Sequence, residues 1–181
     1  MKKFKLTSEF IVDISGVKLF RIKALIEFGN VKAGDLGGYI EKEENLSHMG
    51  DAWVSDDARI SGNAQVFGNA QVFGDAQVFG DAWVFGNARV SGNARVSGDA
   101  QVFGDARVSG DKDYAYAHGF GSCNRTTTFF RLKDGDVGVR CGCFYGTLAQ
   151  FRDKVCETHG ETKKAQEYLM LADLMEIRFK N

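Results

Sequence analysis

The 181-residue chain contains no proline. No ring fixes φ anywhere, so corners must be turned by glycine, of which there are 22, and by asparagine and aspartate. Cysteine is scarce, and four in a chain of this length do not make a disulfide scaffold. A charge of one sign is also lacking. The formal net charge is −1, so no global field points to duplex nucleic acid or to a membrane surface. There is no run of about 18 apolar residues and no charged-then-apolar leader, so neither a membrane span nor a signal peptide is read. The expectation is a soluble, cytoplasmic protein of one elongated domain or two small ones.

What is present in excess is repetition. Residues 63–80 read NAQVFG, NAQVFG, DAQVFG. Valine or isoleucine recurs every six residues from Val54 to Val108, ten times without a slip. Alanine sits two residues before each, from Ala52 to Ala106, and glycine two residues after, from Gly62 to Gly110, with Asp56 the exception. Asp or Asn comes next, from Asp57 to Asp111. Residues two apart share one face of a strand, so each Ala-x-Val unit sends a small and a branched side chain inward and one variable residue outward. The Gly-Asx pair tolerates φ > 0 and turns the corner. No such unit can bury its own face, so coils must stack.

The pattern [Val/Ile]-x-Gly-[Asn/Asp]-Ala-x over residues 51–111 resembles the hexapeptide-repeat proteins. The resemblance implies a mainly β fold, a left-handed parallel β-helix of triangular section with three units per coil, and a homotrimer. An 18-residue coil would stack Phe67, Phe85 and Phe103 in one column, Gln65, Trp83 and Gln101 in another, and Gln71, Arg89 and Arg107 in a third. The Phe column reads equally as a packing ladder or as a subunit interface. Ile40 and Leu46 keep the six-residue step, so an earlier coil is expected, with a small insertion at His48-Met49-Gly50.

Three parts follow: an N-terminal β cap (1–36), the solenoid (37–111) and a small C-terminal α+β domain (112–181). The cap reads as strands KFKL (3–6), FIVDI (10–14) and VKLFRIKALIEF (17–28). The C-terminal part reads as a β-hairpin, TTTFFRL and VGVRCGCF about KDGD, then two helices. Thr147 with Gln150 forms a capping box for a helix burying Leu148, Phe151 and Val155. The second helix, from about Thr162, places Ala165, Tyr168, Leu169, Ala172, Met175 and Phe179 at helical spacing. The segments AGDLGGYIEKEENLS, GSCNRTTTFF, RCGCFYGT (carrying GCFxGT) and THG resemble phage and prophage hexapeptide proteins.

Three chemistries are weighed. Acyl transfer, the activity best known for the resembled family, needs a histidine as general base. His48 alone lies beside the coils, and it reads more simply as a solvated loop residue. Zinc is suggested by Cys141 and Cys143 with Cys123, Cys156, His118 and His159, although the spacing is unusual and core packing explains the thiols equally. No cofactor, metal or catalytic residue is assigned. The third constellation is an anion site. Gly119, Phe120, Gly121 and Ser122 form a glycine-rich loop whose amides can face an anion, and Asn124, Arg125 and Thr126 follow. Arg140 suits bidentate phosphate contact, Gly146 and Thr147 mark a helix N-terminus, and Phe120 and Tyr145 can stack on a base. The expected function is a non-enzymatic oligomeric binder of a small anionic ligand such as a cyclic or other signalling nucleotide. An acyltransferase and a purely structural assembly protein are the alternatives.

Overall fold

Each hexapeptide forms a two-residue strand and a corner, and three strands complete a circuit. The computed structural model describes residues 1–122 and 124–180. Strands β1 (Phe4–Val12) and β2 (Lys18–Ala24) form an antiparallel hairpin. Strand β3 (Leu36–Ile40) pairs antiparallel with β2 and parallel with the solenoid. Ten strands follow: β4 (Trp53–Val54), β5 (Arg59–Ile60), β6 (Gln65–Val66), β7 (Gln71–Val72), β8 (Gln77–Val78), β9 (Trp83–Val84), β10 (Arg89–Val90), β11 (Arg95–Val96), β12 (Gln101–Val102) and β13 (Arg107–Val108). They stack into three parallel faces, β3-β5-β8-β11, β4-β7-β10-β13 and β6-β9-β12. Leu46 adds a bridge to Val66 at the head of the third face.

Partners within the faces lie eighteen residues apart, as in Arg59↔Gln77, Gln71↔Arg89 and Gln65↔Trp83. The first rung steps twenty, Ile40↔Ile60 and Leu46↔Val66, which is the expected earlier coil with a two-residue insertion before β4. Every alanine and every valine or isoleucine of the ten units is at most 1% exposed. The Phe67, Phe85 and Phe103 rings stack at 4.8 and 4.4 Å between centroids, a packing ladder along one corner. Corner glycines need positive φ and room: at Gly68, φ is +70° and an added Cβ would lie 3.2 Å from the Gly86 nitrogen one coil on. Asp56 holds the equivalent position at φ +56° and accepts from the Gly74 N–H at 3.0 Å.

The solenoid has a direction. The strand N–H groups at the outward positions donate to the following coil, as Trp53 N–H does to Ala70 O at 3.0 Å and Gln71 N–H to Ala88 O at 2.9 Å. The first coil therefore leaves carbonyls without donors and the last leaves amides without acceptors. Donors close the first end. Buried Lys3 donates from Nζ to Ala52 O at 2.7 Å and Gly50 O at 3.2 Å, and buried Asn45 donates from Nδ2 to Ala64 O and Gly62 O at 2.8 and 3.1 Å. Acceptors close the other: Asp111 Oδ1 takes Arg95 N–H, the Tyr114 hydroxyl takes Ser97 N–H, Thr128 Oγ1 takes Gln101 N–H and Asp113 Oδ2 takes Ser109 N–H.

Beyond the solenoid lie β14 (Tyr114–Ala117), β15 (Thr127–Arg131), β16 (Val137–Cys141) and β17 (Phe144–Thr147), an antiparallel meander, then α1 (Leu148–His159) and α2 (Lys163–Phe179). The sequence suggests only the β15–β16 hairpin. VGVRCGCF is not one strand, because Gly142 at φ +58° turns the chain back and pairs Cys141 with Phe144. The sheet serves two cores. Phe130 and Tyr114 join the core that runs through the solenoid to Phe4 and Ile22. Phe129 and Val139 face the other way, onto Phe151, Val155, Tyr168, Ala172 and Met175 of the helices.

Candidate functional site

Between the helix-facing side of the meander and α1 and α2 lies a cavity of about 230 Å³. Strand alternation places Cys141 on this side, where Thr127 Oγ1 donates to its Sγ at 3.2 Å. Phe144, Phe151 and Tyr168 supply aromatic walls, with Phe151 edge-on to Tyr168 at 5.6 Å and tilted to Phe144 at 5.5 Å. Arg125 and Lys154 bring two cations, and Ser122, Thr158 and His159 line the cavity as well. No acidic side chain is among the described residues that line it.

The loop before β15 is held by α2. Ser122 N–H donates to the Tyr168 hydroxyl at 3.0 Å, and Tyr168 O–H donates to Ser122 O at 3.3 Å. Burial pushes the Tyr168 hydroxyl above its ordinary pKa, against the hydrogen bonds from Ser122 that lower it, so it stays a neutral donor. Gly121 must be glycine, because its φ is +70° and a Cβ would overlap the Tyr168 ring. Its N–H already has an anionic partner, Glu167 Oε2 at 2.8 Å. Gly119 and Phe120 are exposed, Asn124 is in the left-handed region at φ +46°, and Thr126 Oγ1 bonds His118 Nδ1 at 2.9 Å. Arg125 lies over Gly142 beside the cavity.

The remaining suggested site residues lie elsewhere. Arg140 pairs with Thr128, which bonds Gln101, so both face the solenoid. There Arg140 Nε donates to Gln101 Oε1 at 3.1 Å, and its guanidinium stands 5.8 Å from the Phe103 ring centre. Tyr145, opposite Arg140, closes the Phe ladder edge-on to Phe103 at 4.8 Å. Burial, then Asp105, raises the Tyr145 pKa. Thr147 is engaged as the cap of α1, accepting from Gln150 N–H while Gln150 Oε1 accepts from its own N–H at 2.8 Å, and Gly146 packs against Gln150 and Phe144. The structure thus brings Ser122 and Arg125 to the cavity and adds Lys154, Thr158, Phe144, Phe151 and Tyr168. Lys154 and Thr158 flank the Phe151–Val155 stripe of α1, a signal visible as polar residues beside the apolar face of a helix.

His48 is not a solvated loop residue. Its Nδ1 accepts from Lys3 N–H at 3.1 Å, Nε2 meets Glu43 Oε1 at 3.0 Å, and the ring stacks on Phe4 at 4.3 Å. With Nδ1 accepting from Lys3, Nε2 carries the hydrogen toward Glu43, so both ring nitrogens are engaged. These contacts make His48 a structural post between Lys3, Phe4 and Glu43. Cys143 and Cys156 are exposed and Cys141 half-buried, all with free thiols, and Cys123 lies outside the described residues. No group of three metal-ligating side chains occurs among the described residues. Among these residues no helix is long and apolar enough to cross a membrane.

A family model described as the YdcK beta solenoid repeat matches residues 52–74, 88–100 and 100–111. No curated protein matches the chain. The matched segments fall within the hexapeptides, in keeping with the parallel faces described above, and this part of the chain is a β-solenoid of repeats.

Proposed function

We propose that this is a non-enzymatic, oligomeric binding protein in which the solenoid is the rigid scaffold and the helix–sheet cavity takes a small anionic, nucleotide-like ligand. The observation that carries the reading is the pairing of Arg125 and Lys154 with three aromatic walls in a cavity that no carboxylate lines among the described residues. A planar ring fits between aromatic faces and a phosphate fits a guanidinium with an ammonium beside it. At about 230 Å³ the cavity is below the usual range of roughly 300–1,000 Å³ for ligand pockets. It therefore holds one base- or phosphate-sized portion, and a cyclic dinucleotide would leave its second half outside.

The solenoid would assemble as a homotrimer in the cytoplasm. For a phage-encoded protein, the host cytoplasm would be the setting and sequestration of a host immune nucleotide the purpose. Calorimetric titration with mononucleotides, cyclic di- and trinucleotides, ADP-ribose and acetyl-CoA tests the reading. Saturable binding without turnover, lost in both Arg125→Ala and Lys154→Ala, is expected. Binding untouched by either substitution, or no binding across the panel, refutes it.

A further inference from the structure

The outward position of the ten units is Gln or Arg in eight of them, and the two exceptions are Trp53 and Trp83. Trp53 is explained by the fold: it is 5% exposed, and Phe28 packs edge-on to it at 5.4 Å. Trp83 is 41% exposed, and its aromatic neighbour is Phe67, 6.0 Å away at an interplanar angle of 78°. In a repeat this regular, a bulky aromatic that the core does not need is an unexplained departure.

The Phe ladder supplies the second observation. Tyr145 closes its lower end. At the upper end Leu46 pairs with Val66, so the residue above Phe67 is Ser47 and no ring covers it. Phe67 and Trp83 thus form an L-shaped aromatic corner in a groove of about 690 Å³, with Gln65, Ser47 and Glu44 as polar edges. Of the charges at the groove's head, Lys2 Nζ meets Glu43 at 2.8 Å and Glu43 also meets His48, which leaves the exposed Glu44 carboxylate as an acceptor and, among the described residues that line the groove, no cation without an acidic partner. The Gln65–Trp83 rung itself is uncharged.

We propose that this groove binds a neutral saccharide. A sugar ring has an apolar C–H face for Trp83 or the open face of Phe67 and a rim of hydroxyls that donate and accept. The Gln65 amide does both, and Glu44 and Ser47 add acceptors. A charged ligand would find no unpaired counter-ion of its own on the Gln65–Trp83 rung. The site is separate from the C-terminal cavity and does not depend on what fills it.

Tryptophan emission reads the site directly, because Trp53 is covered and Trp83 is not. Cello-, chito- and malto-oligosaccharides are titrated to about 10 mM, enough to fill roughly nine-tenths of a site with a 1 mM dissociation constant. One series should shift or quench the emission saturably. Trp83→Phe should abolish that response while calorimetry still shows weakened binding, and Gln65→Ala should weaken binding by about 3- to 10-fold. Any of four results overturns the proposal: no response to any series, a response retained in Trp83→Phe, a response to neutral nucleosides but not sugars, or a Trp83 already shielded from acrylamide by another copy of the chain.

Discussion

Lys3 gives the sharpest test of the end-capping argument. It is 1% exposed, donates to the carbonyls of Gly50 and Ala52, and its ammonium stands 4.6 Å from the centre of the Phe28 ring. Burial lowers its pKa to about 8, against Asp51, which raises it. The folded value lies below the ordinary 10.5, so between the two the unfolded chain binds more protons and stability rises with pH. The penalty on the buried ammonium is fully present below pH 8 and fades as pH climbs toward the unfolded value. At 1.36 kcal/mol per unit, the gain from pH 7 to pH 10 is about 2–3 kcal/mol.

Lys3→Met keeps the stem and removes the donor. At pH 7 two terms oppose: orphaned carbonyls cost about 1–3 kcal/mol each, and the ammonium penalty of about 3 kcal/mol is relieved. The variant should therefore differ from the parent by only a few kcal/mol there. By pH 10 the penalty has left the parent, and the gap should have widened by about 2–3 kcal/mol in the parent's favour. The assay is denaturant unfolding of both proteins from pH 7 to 10. The upper limit matters because burial raises Tyr114 to about 12, which gives the opposite slope above pH 10. A gap constant across that range would refute the argument that Lys3 is a buried cap.

Asn45→Ala strips the other carbonyl cap from a fully buried position and should destabilise by about 2–4 kcal/mol, independent of pH from 7 to 10, by the same unfolding measurement. Burial raises the Asp113 carboxyl, but hydrogen bonds from Ser109 and Arg131 outweigh it and hold the pKa low, so its contribution is present at neutral pH and lost as pH falls below about 4. Asp113→Asn should thus cost about 2–4 kcal/mol at pH 7, with the difference closing in acid. Gly121→Ala drives a Cβ into the Tyr168 ring and should alter tyrosine near-ultraviolet dichroism and weaken ligand binding at the C-terminal cavity, with the solenoid's far-ultraviolet spectrum retained.

The solenoid is legible because its rules are local. A period of six, one small and one branched inward residue and a Gly-Asx corner determine both the strand and its neighbour eighteen residues away. The ends are not, since the partners are remote and follow no period: Lys3 reaches Ala52, and Thr128 reaches back to Gln101. The cavity was half legible. Ser122 and Arg125 stand out in a glycine-rich loop, but Tyr168 and Lys154 belong to helices whose docking no spacing announces. Arg140 lies away from the cavity for a simple reason. Strand parity puts it on the face opposite Cys141, toward Gln101, and the Gly142 turn separately folds Phe144 back against Cys141.

Amide direction also constrains assembly. With Lys3 and Asn45 on the carbonyls and Asp111, Tyr114, Thr128 and Asp113 on the amides, neither end offers the free row that a second solenoid would need to extend the rod. The homotrimer proposed above would therefore pack side by side, using the faces. If the third face carries an open saccharide groove, lateral contact falls to the other two, whose outward residues include Arg59 and Arg95 or Arg89 and Arg107. Those cations would meet the acidic corners of a neighbour, Asp57 and Asp75 or Asp81 and Asp99, so assembly should weaken with added salt. A trimer closed over Trp83 and Phe67 instead buries an uncharged aromatic face and should tolerate salt. The salt dependence of the oligomer and the acrylamide accessibility of Trp83 must then change together, because a single choice of face determines both.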